Sequence, residues 1–264
     1  MKRLLVNADD FGLSIPITDG ILEAHARGIV TSTSIMANGS AFDHAVQQSR
    51  QHPNLAIGLH LSLVEEPWLT TQQPMARDYG DFAKSFLTGR ISIGQLEREL
   101  RAQLARCHEH GLTLRHIDSH QHVHALPALF GLVTRIAKEM GIPRVRVPLD
   151  SPFRSGALGS SRFLGKTVLC LLSLSAHNAV NTAGLRSCAR MIGLFESGSL
   201  TEQRLLSMLE HLEDGSTELM CHPGHTDPKY AHWNFHWEEE LQALTSPTVR
   251  ARLHTRGIEL SSSC

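Results

Sequence analysis

Short apolar runs alternate with amphipathic stretches along most of this chain. The run "RLLVNA" has the length and continuity of a buried strand, and "IPITDGILEAHARG" repeats apolar residues at helical spacing until Gly28 stops it. "IVTSTSIMA", rich in β-branched residues, predicts a second strand, and "AFDHAVQQSRQHP" a helix closed by Pro53. "LAIGLHLSL" reads as the third strand. A polar segment from about 64 to 90 then breaks the rhythm, ahead of a long amphipathic helix over Gln95–His110. "LRHIDSH" predicts a fourth strand, Pro127 the start of the next helix, and "PRVRVP", "ELMCHPG" and "GIELS" further strands. Repeated strand–helix units imply a parallel sheet covered by helices, either doubly wound or closed into a (β/α) barrel. No fixed-length repeat or low-complexity linker interrupts them, so residues 1–264 are expected to form one domain.

Composition narrows the function classes. With 41% hydrophobic and 19% charged residues, the chain has globular rather than disordered composition. A formal net charge of -1 offers no basic excess for nucleic acid or an anionic membrane surface. G-x-G-x-x-G does not follow the first strand and G-x-x-x-x-G-K-[ST] is absent, which removes the main support for nucleotide binding of those kinds. The most apolar window, Phe163 to Val180, is broken by Lys166, Ser173, Ser175, His177 and Asn178 and falls short of a membrane span. The opening "MKRLLVNADD" meets acidic residues too early for a signal peptide. Cys107, Cys170, Cys188, Cys221 and Cys264 form no C-x-x-C pair, and such a scattered set predicts reduced thiols in a cytoplasmic setting.

The oddity is 17 histidines beside only 2 tyrosines and 3 tryptophans, and their placement matters. Asp9 and Asp10 end the first predicted strand, His60 the third, and Arg146 and His222 two later ones. "HIDSHQHVH" packs four histidines and Asp118 into nine residues at the end of the fourth. C-terminal strand ends are where α/β barrels and open sheets build active sites. A turn explains one such residue; carboxylates and imidazoles at several strand ends on one face need another cause. By contrast, "CHEHG" closes an amphipathic helix, where histidine is ordinary dipole chemistry.

A divalent metal would reconcile the adjacent acids. One aspartate would bind the cation while the other stays free as a base toward water, and two histidines plus one carboxylate leave coordination positions open. A histidine at another strand end would protonate the leaving group. That constellation fits hydrolysis of an amide or ester, and spacing alone leaves open which of His120, His122 and His124 serves the metal.

"NADDFG", "TSTS", "IGLH", "HIDSHQHVHALP" and "CHPG" in this order, from residue 2 to about 226, resemble the YdjC-like carbohydrate deacetylases. That group is similar in layout to the NodB-like polysaccharide deacetylases, which implies an irregular (β/α) barrel of parallel strands with its active site at the C-terminal strand ends. The resemblance implies one metal ion, magnesium or zinc, on Asp10, His60 and His124, with Asp9 as the base and His222 as the general acid. "RVP" at Arg146–Pro148 resembles an Arg-x-Pro element that orients the base. The implied substrate is an N-acetylated amino sugar, and the implied assembly a homodimer. Gln121 stands where chito-oligosaccharide members often carry histidine, while "GLFESG", Gly193–Gly198, resembles the hopanoid-associated branch.

The expected activity is therefore metal-dependent N-deacetylation of a chito-oligosaccharide or lipid-linked N-acetylhexosamine. Its rivals are a metal phosphoesterase on a similar barrel and a non-catalytic sugar-binding protein. The segment from Ser151 to Val180 is expected as an excursion over the active-site face. It would pack on the barrel, form a dimer contact, or hold a lipid tail, the last placing the enzyme peripherally at the inner membrane face.

Overall fold

The computed structural model describes residues 1–150, 161–174 and 176–264. Its elements run β1 (Lys2–Phe11), α1 (Ile15–Arg27), β2 (Ser32–Ile35), α2 (Phe42–Ser49), β3 (Ala56–Leu61), α3 (Tyr79–Leu87), α4 (Ile93–Glu109) and β4 (Ile117–Ser119). After a 3-10 stretch over His120–Ala125 come α5 (Pro127–Glu139), α6 (Ser161–Ser173), α7 (Ala176–Thr182), β5 (Arg190–Ile192), α8 (Glu202–Glu210) and β6 (Gly215–Cys221). A second 3-10 stretch, Pro228–Trp233, precedes α9 (Trp237–Thr245), α10 (Pro247–Thr255) and β7 (Ile258–Leu260).

The strands are ordered β4-β3-β2-β1-β6-β5, with β7 paired to β1, and every strand pair is parallel. "PRVRVP" does not form a full strand: it contributes isolated parallel bridges, Ile117 to Val145 and Arg144 to Arg186, which lead from β4 toward β5. The sheet thus curls into an irregular half-barrel flanked by helices. β1 is its axis, since it lies between β2 and β6 and its residues Leu4 to Phe11 are buried. That burial on both faces explains why the strand reads as a continuous apolar run.

Two elements depart from the sequence pattern. The polar segment holds α3, capped by the Asp78 side chain on Asp81 N–H, and β5 was hidden in a three-residue span too short to show periodicity. Cys188 and Cys264 form a disulfide, with Cα atoms 5.0 Å apart, against the expectation of reduced thiols throughout; Cys107, Cys170 and Cys221 are free and buried. Their separation of 76 residues hid a pair that only β5 and the chain's last residues bring together. Of the expected excursion, residues 151–160 and 175 lie outside the described residues. Among those described, no helix is long and apolar enough to cross a membrane.

Candidate active site

Asp9 and Asp10 belong to β1 itself rather than to a turn beyond it. In a regular strand, consecutive side chains point to opposite faces. Here the β1–β2 register shifts between Ala8 and Phe11, and Asp10 takes a left-handed φ of 70°. A bulge of this kind re-aims side chains, and both carboxylates line the same cavity of about 790 Å³. Left-handed backbone at a non-glycine residue costs roughly 1–3 kcal/mol and tends to be retained where it serves a site.

The two acids enter different networks. Arg146, buried, clamps Asp9 with Nη1 on Oδ2 and Nη2 on Oδ1, each at 2.7 Å. Its Nη1 also reaches Asp118 Oδ2 at 2.8 Å and its Nε reaches Glu218 Oε1 at 2.7 Å. Asn7 Nδ2 donates to Asp9 Oδ1 at 2.8 Å, which further fixes the carboxylate. Burial would raise the Asp118 pKa, but the Arg146 and His60 charges outweigh it and hold the carboxyl well below the usual range. Burial likewise disfavours the Arg146 cation, and the surrounding carboxylates more than restore it.

Asp10 faces histidines. Its Oδ1 lies 3.0 Å from His120 Nδ1 and 3.4 Å from His60 Nε2. One oxygen and two nitrogens from Asp10, His60 and His120 lie within 4.8 Å of one another. Each imidazole is backed by a carboxylate on its other nitrogen: His60 Nδ1 by Asp118 at 2.7 Å, and His120 Nε2 by Glu65 at 2.8 Å. That backing is the usual means of orienting histidine toward a cation. Burial opposes protonation of His60, yet Asp118 and Asp10 raise its pKa to about 10. His120, also opposed by burial, is raised to about 9 by Asp10 and Glu65. The pocket therefore draws positive charge to the spot between these three side chains, and the donor set suits a divalent cation with open positions.

His124, the expected third ligand, is not brought to this group. A carbonyl oxygen can only accept, so His124 Nε2 donates to Arg146 O at 3.0 Å, while Nδ1 accepts from Ser119 Oγ. Both nitrogens are spent on holding the turn against the Arg146 segment. Burial keeps its pKa down at about 4, hence neutral. The reason lies in the backbone: Gln121 and His122 adopt φ of 50° and 54°, so the run coils and extended spacing does not carry His124 to the cavity. A second acidic group, Asp9, His60 and Asp118, also lies within metal-ligand spacing. There the Arg146 guanidinium already occupies the position of the cation.

His222 ends β6 and lines the cavity. Its backbone N–H donates to Glu240 Oε2 at 2.6 Å, and its ring meets Phe235 edge-on with centroids 5.0 Å apart. The loop after it is pinned because Gly224 packs against Gly20 of α1, where a methyl on Gly20 would collide with the Gly224 backbone. Burial lowers the His222 pKa despite the pull of Asp10 and Asp9. An aromatic wall of Trp233 and Phe235 faces the acids, and Tyr79 joins the lining because Gln121 Oε1 accepts the Tyr79 N–H at 2.8 Å. Helix α6 supplies Gly165, Lys166, Val168 and Leu169 to the same lining. Leu169 and Cys170 pack inward against Leu194, Phe195 and Met220, whereas Val168, Leu171 and Leu174 remain exposed.

The sequence pattern did not single out Glu218, a lone acid inside the otherwise apolar "ELMC" strand, Glu65, in the loop after β3, or Trp233, which ends the short 3-10 stretch Pro228–Trp233.

The sequence profile of the YdjC-like protein family matches residues 3–255. A carbohydrate deacetylase of Geobacillus stearothermophilus is 34% identical over 265 residues, covering 98% of this chain and 96% of that protein. One from Brevibacillus brevis is 34% identical over 272 residues, with 98% and 97% covered. A solved structure from Enterococcus faecalis V583, provisionally assigned to cellobiose-phosphate cleavage, superposes with a TM-score of 0.73 at 25% identity, covering 98% of this chain and 97% of that one. With this profile match, these relatives and this sheet, the chain belongs to the YdjC-like family.

Proposed function

We propose that the protein is a metal-dependent hydrolase that removes the acetyl group from an N-acetylated amino sugar. The observation that carries the reading is the division of labour between adjacent acids: Asp10 faces His60 and His120, while Asp9 is held apart by Arg146. A divalent cation bound by Asp10, His60 and His120 would supply Lewis acidity toward the acetyl carbonyl and the attacking water. Asp9, fixed by Arg146, takes a proton from that water as its oxygen adds to the acetyl carbon. His222 gives a proton to the departing nitrogen as the carbon–nitrogen bond breaks, leaving a free amine and acetate. Its lowered pKa makes the protonated imidazole a stronger acid for that step. Trp233 and Phe235 offer apolar faces for a sugar ring.

The relatives named carbohydrate deacetylase support this chemistry, and the exposed Val168, which lines the cavity on the same helix as the exposed Leu171, supports a lipid-linked form of the sugar. Acetate release from N-acetylated chito-oligosaccharides and from a lipid-linked N-acetylhexosamine, before and after chelation, tests both levels. Chelation should abolish turnover and added magnesium or zinc restore it. Phosphate release from phosphoesters without acetate release would overturn the reading in favour of a phosphoesterase. Equal use of both sugars, unchanged by Leu171→Ser with Leu172→Ser, would remove the lipid preference.

A further inference from the structure

The opposite, N-terminal end of the sheet carries a second cavity of about 600 Å³, lined by residues that include Arg115, Arg144, Arg186, Asn54 and Cys264. The three arginines arrive from neighbouring backbone segments. Arg144 and Arg186 are directly paired, Ile117 N–H donates to Arg144 O, and Arg115 N–H donates to Ile57 O, which places Arg115 at the entry to β4. Like charges opposite one another on adjacent strands destabilise a sheet unless something neutralises them. Only Arg144 has a carboxylate: its Nη1 meets Glu218 Oε2 at 2.5 Å. Its Nη2 is buried with no hydrogen-bond partner, although the residue is only 4% exposed. Arg115 and Arg186 are exposed, and among the described residues neither has a carboxylate within ion-pair distance.

We infer that this cavity binds the phosphate group of a small molecule. Two unneutralised guanidiniums match the charge of a phosphate monoester, about −1.5 to −2 near neutral pH. Arginine forks suit the tetrahedral oxyanion, and the exposed Arg115 and Arg186 both line the cavity beside Arg144. A carboxylate ligand would leave one positive charge uncompensated. The volume accommodates more than inorganic phosphate alone, so the group can arrive free or on a sugar-sized body. The site is remote from Asp9 and Asp10, and it stands whether or not the deacetylase reading holds.

The test titrates the whole protein with inorganic phosphate and with a hexose 6-phosphate, at constant ionic strength made up with chloride, by calorimetry and thermal shift. The comparison protein is Arg115→Gln with Arg186→Gln, which removes two exposed side chains and leaves the Arg144–Glu218–Arg146 contacts in place. The wild type should show saturable binding and a rise in Tm, tighter for the sugar phosphate if the body as well as the group is held. The variant should bind at least about tenfold more weakly while keeping its circular dichroism spectrum, since two charge-assisted contacts are lost. Absence of saturable binding in the wild type would overturn the inference. So would equal binding by the variant, or binding that chelation abolishes, which would place the phosphate at the acidic cavity.

Discussion

Replacing Arg146 by lysine keeps the charge and removes the fork, which isolates what the guanidinium geometry contributes. Arg146 makes four contacts of 2.7–2.8 Å to three buried carboxylates, two of them a bidentate clamp on Asp9. A single ammonium nitrogen cannot span Asp9, Asp118 and Glu218 together, so at least one buried carboxylate is left without its partner. Breaking a buried pair by removing one member costs about 3–5 kcal/mol. The variant should lose stability of that order in urea unfolding. Its kcat for acetate release should fall roughly 10²-fold, the effect of a base displaced by about 1 Å. The assay is acetate release by folded protein whose metal content has been measured, so that loss of metal or of fold is not mistaken for loss of positioning. KM should change little, because Arg146 is buried beneath Asp9 and not exposed to the sugar. Near wild-type kcat in a metal-loaded variant would refute the argument that Arg146 positions the base.

Three further outcomes follow from the same geometry. His60 and His120, with pKa values raised to about 10 and about 9, are protonated at neutral pH without metal, so cation binding must release protons. Affinity should rise with pH, by about tenfold per pH unit for each proton released, and heats measured in buffers of different ionisation enthalpy should differ; pH-independent affinity would contradict this. Asp118, held well below the usual carboxylate range, contributes stability above its unfolded value near ~3.9 that is lost as pH falls through the lower folded value. Asp118→Asn should therefore be less stable than wild type at pH 7, with the gap closing in acid unfolding below about pH 4. Cys264→Ser should lower stability by roughly 2–4 kcal/mol in non-reducing buffer, and reductant should bring the wild type down to the same level.

Much of the fold was legible because strand and helix periods differ sharply along the chain. β2, β3 and β4 fall within the predicted runs, β1 and β6 overlap theirs but start earlier, and β7 lies in "GIELS". What escaped was structure made by pairing rather than by pattern. β5 is three residues long, and the Arg144–Val145 segment pairs only through single bridges, so neither leaves a readable periodicity. The site divides in the same way. Topology brings Asp9, Asp10, His60 and His222, placed at predicted strand ends, to one cavity, while Arg146 sits behind Asp9 without ending a strand. The choice among His120, His122 and His124 depends on left-handed turns at Gln121 and His122, which no spacing rule encodes. Gly58 illustrates a constraint visible only in three dimensions: a methyl there would collide with the buried His116 ring, whose Nε2 lies 2.9 Å from Ser34 Oγ behind the acidic network.

Metal stoichiometry in paired variants decides whether Asp10, His60 and His120 hold the cation. Wild type, His120→Gln and His124→Gln would be stripped, reloaded with zinc and measured by element-specific mass spectrometry after dialysis. One ion per chain is expected in the wild type and in His124→Gln, because His124 spends both nitrogens on Ser119 and the Arg146 carbonyl. A site built on Asp10, His60 and His120 requires loss of that ion in His120→Gln. Retention by His120→Gln together with loss in a folded His124→Gln would contradict it.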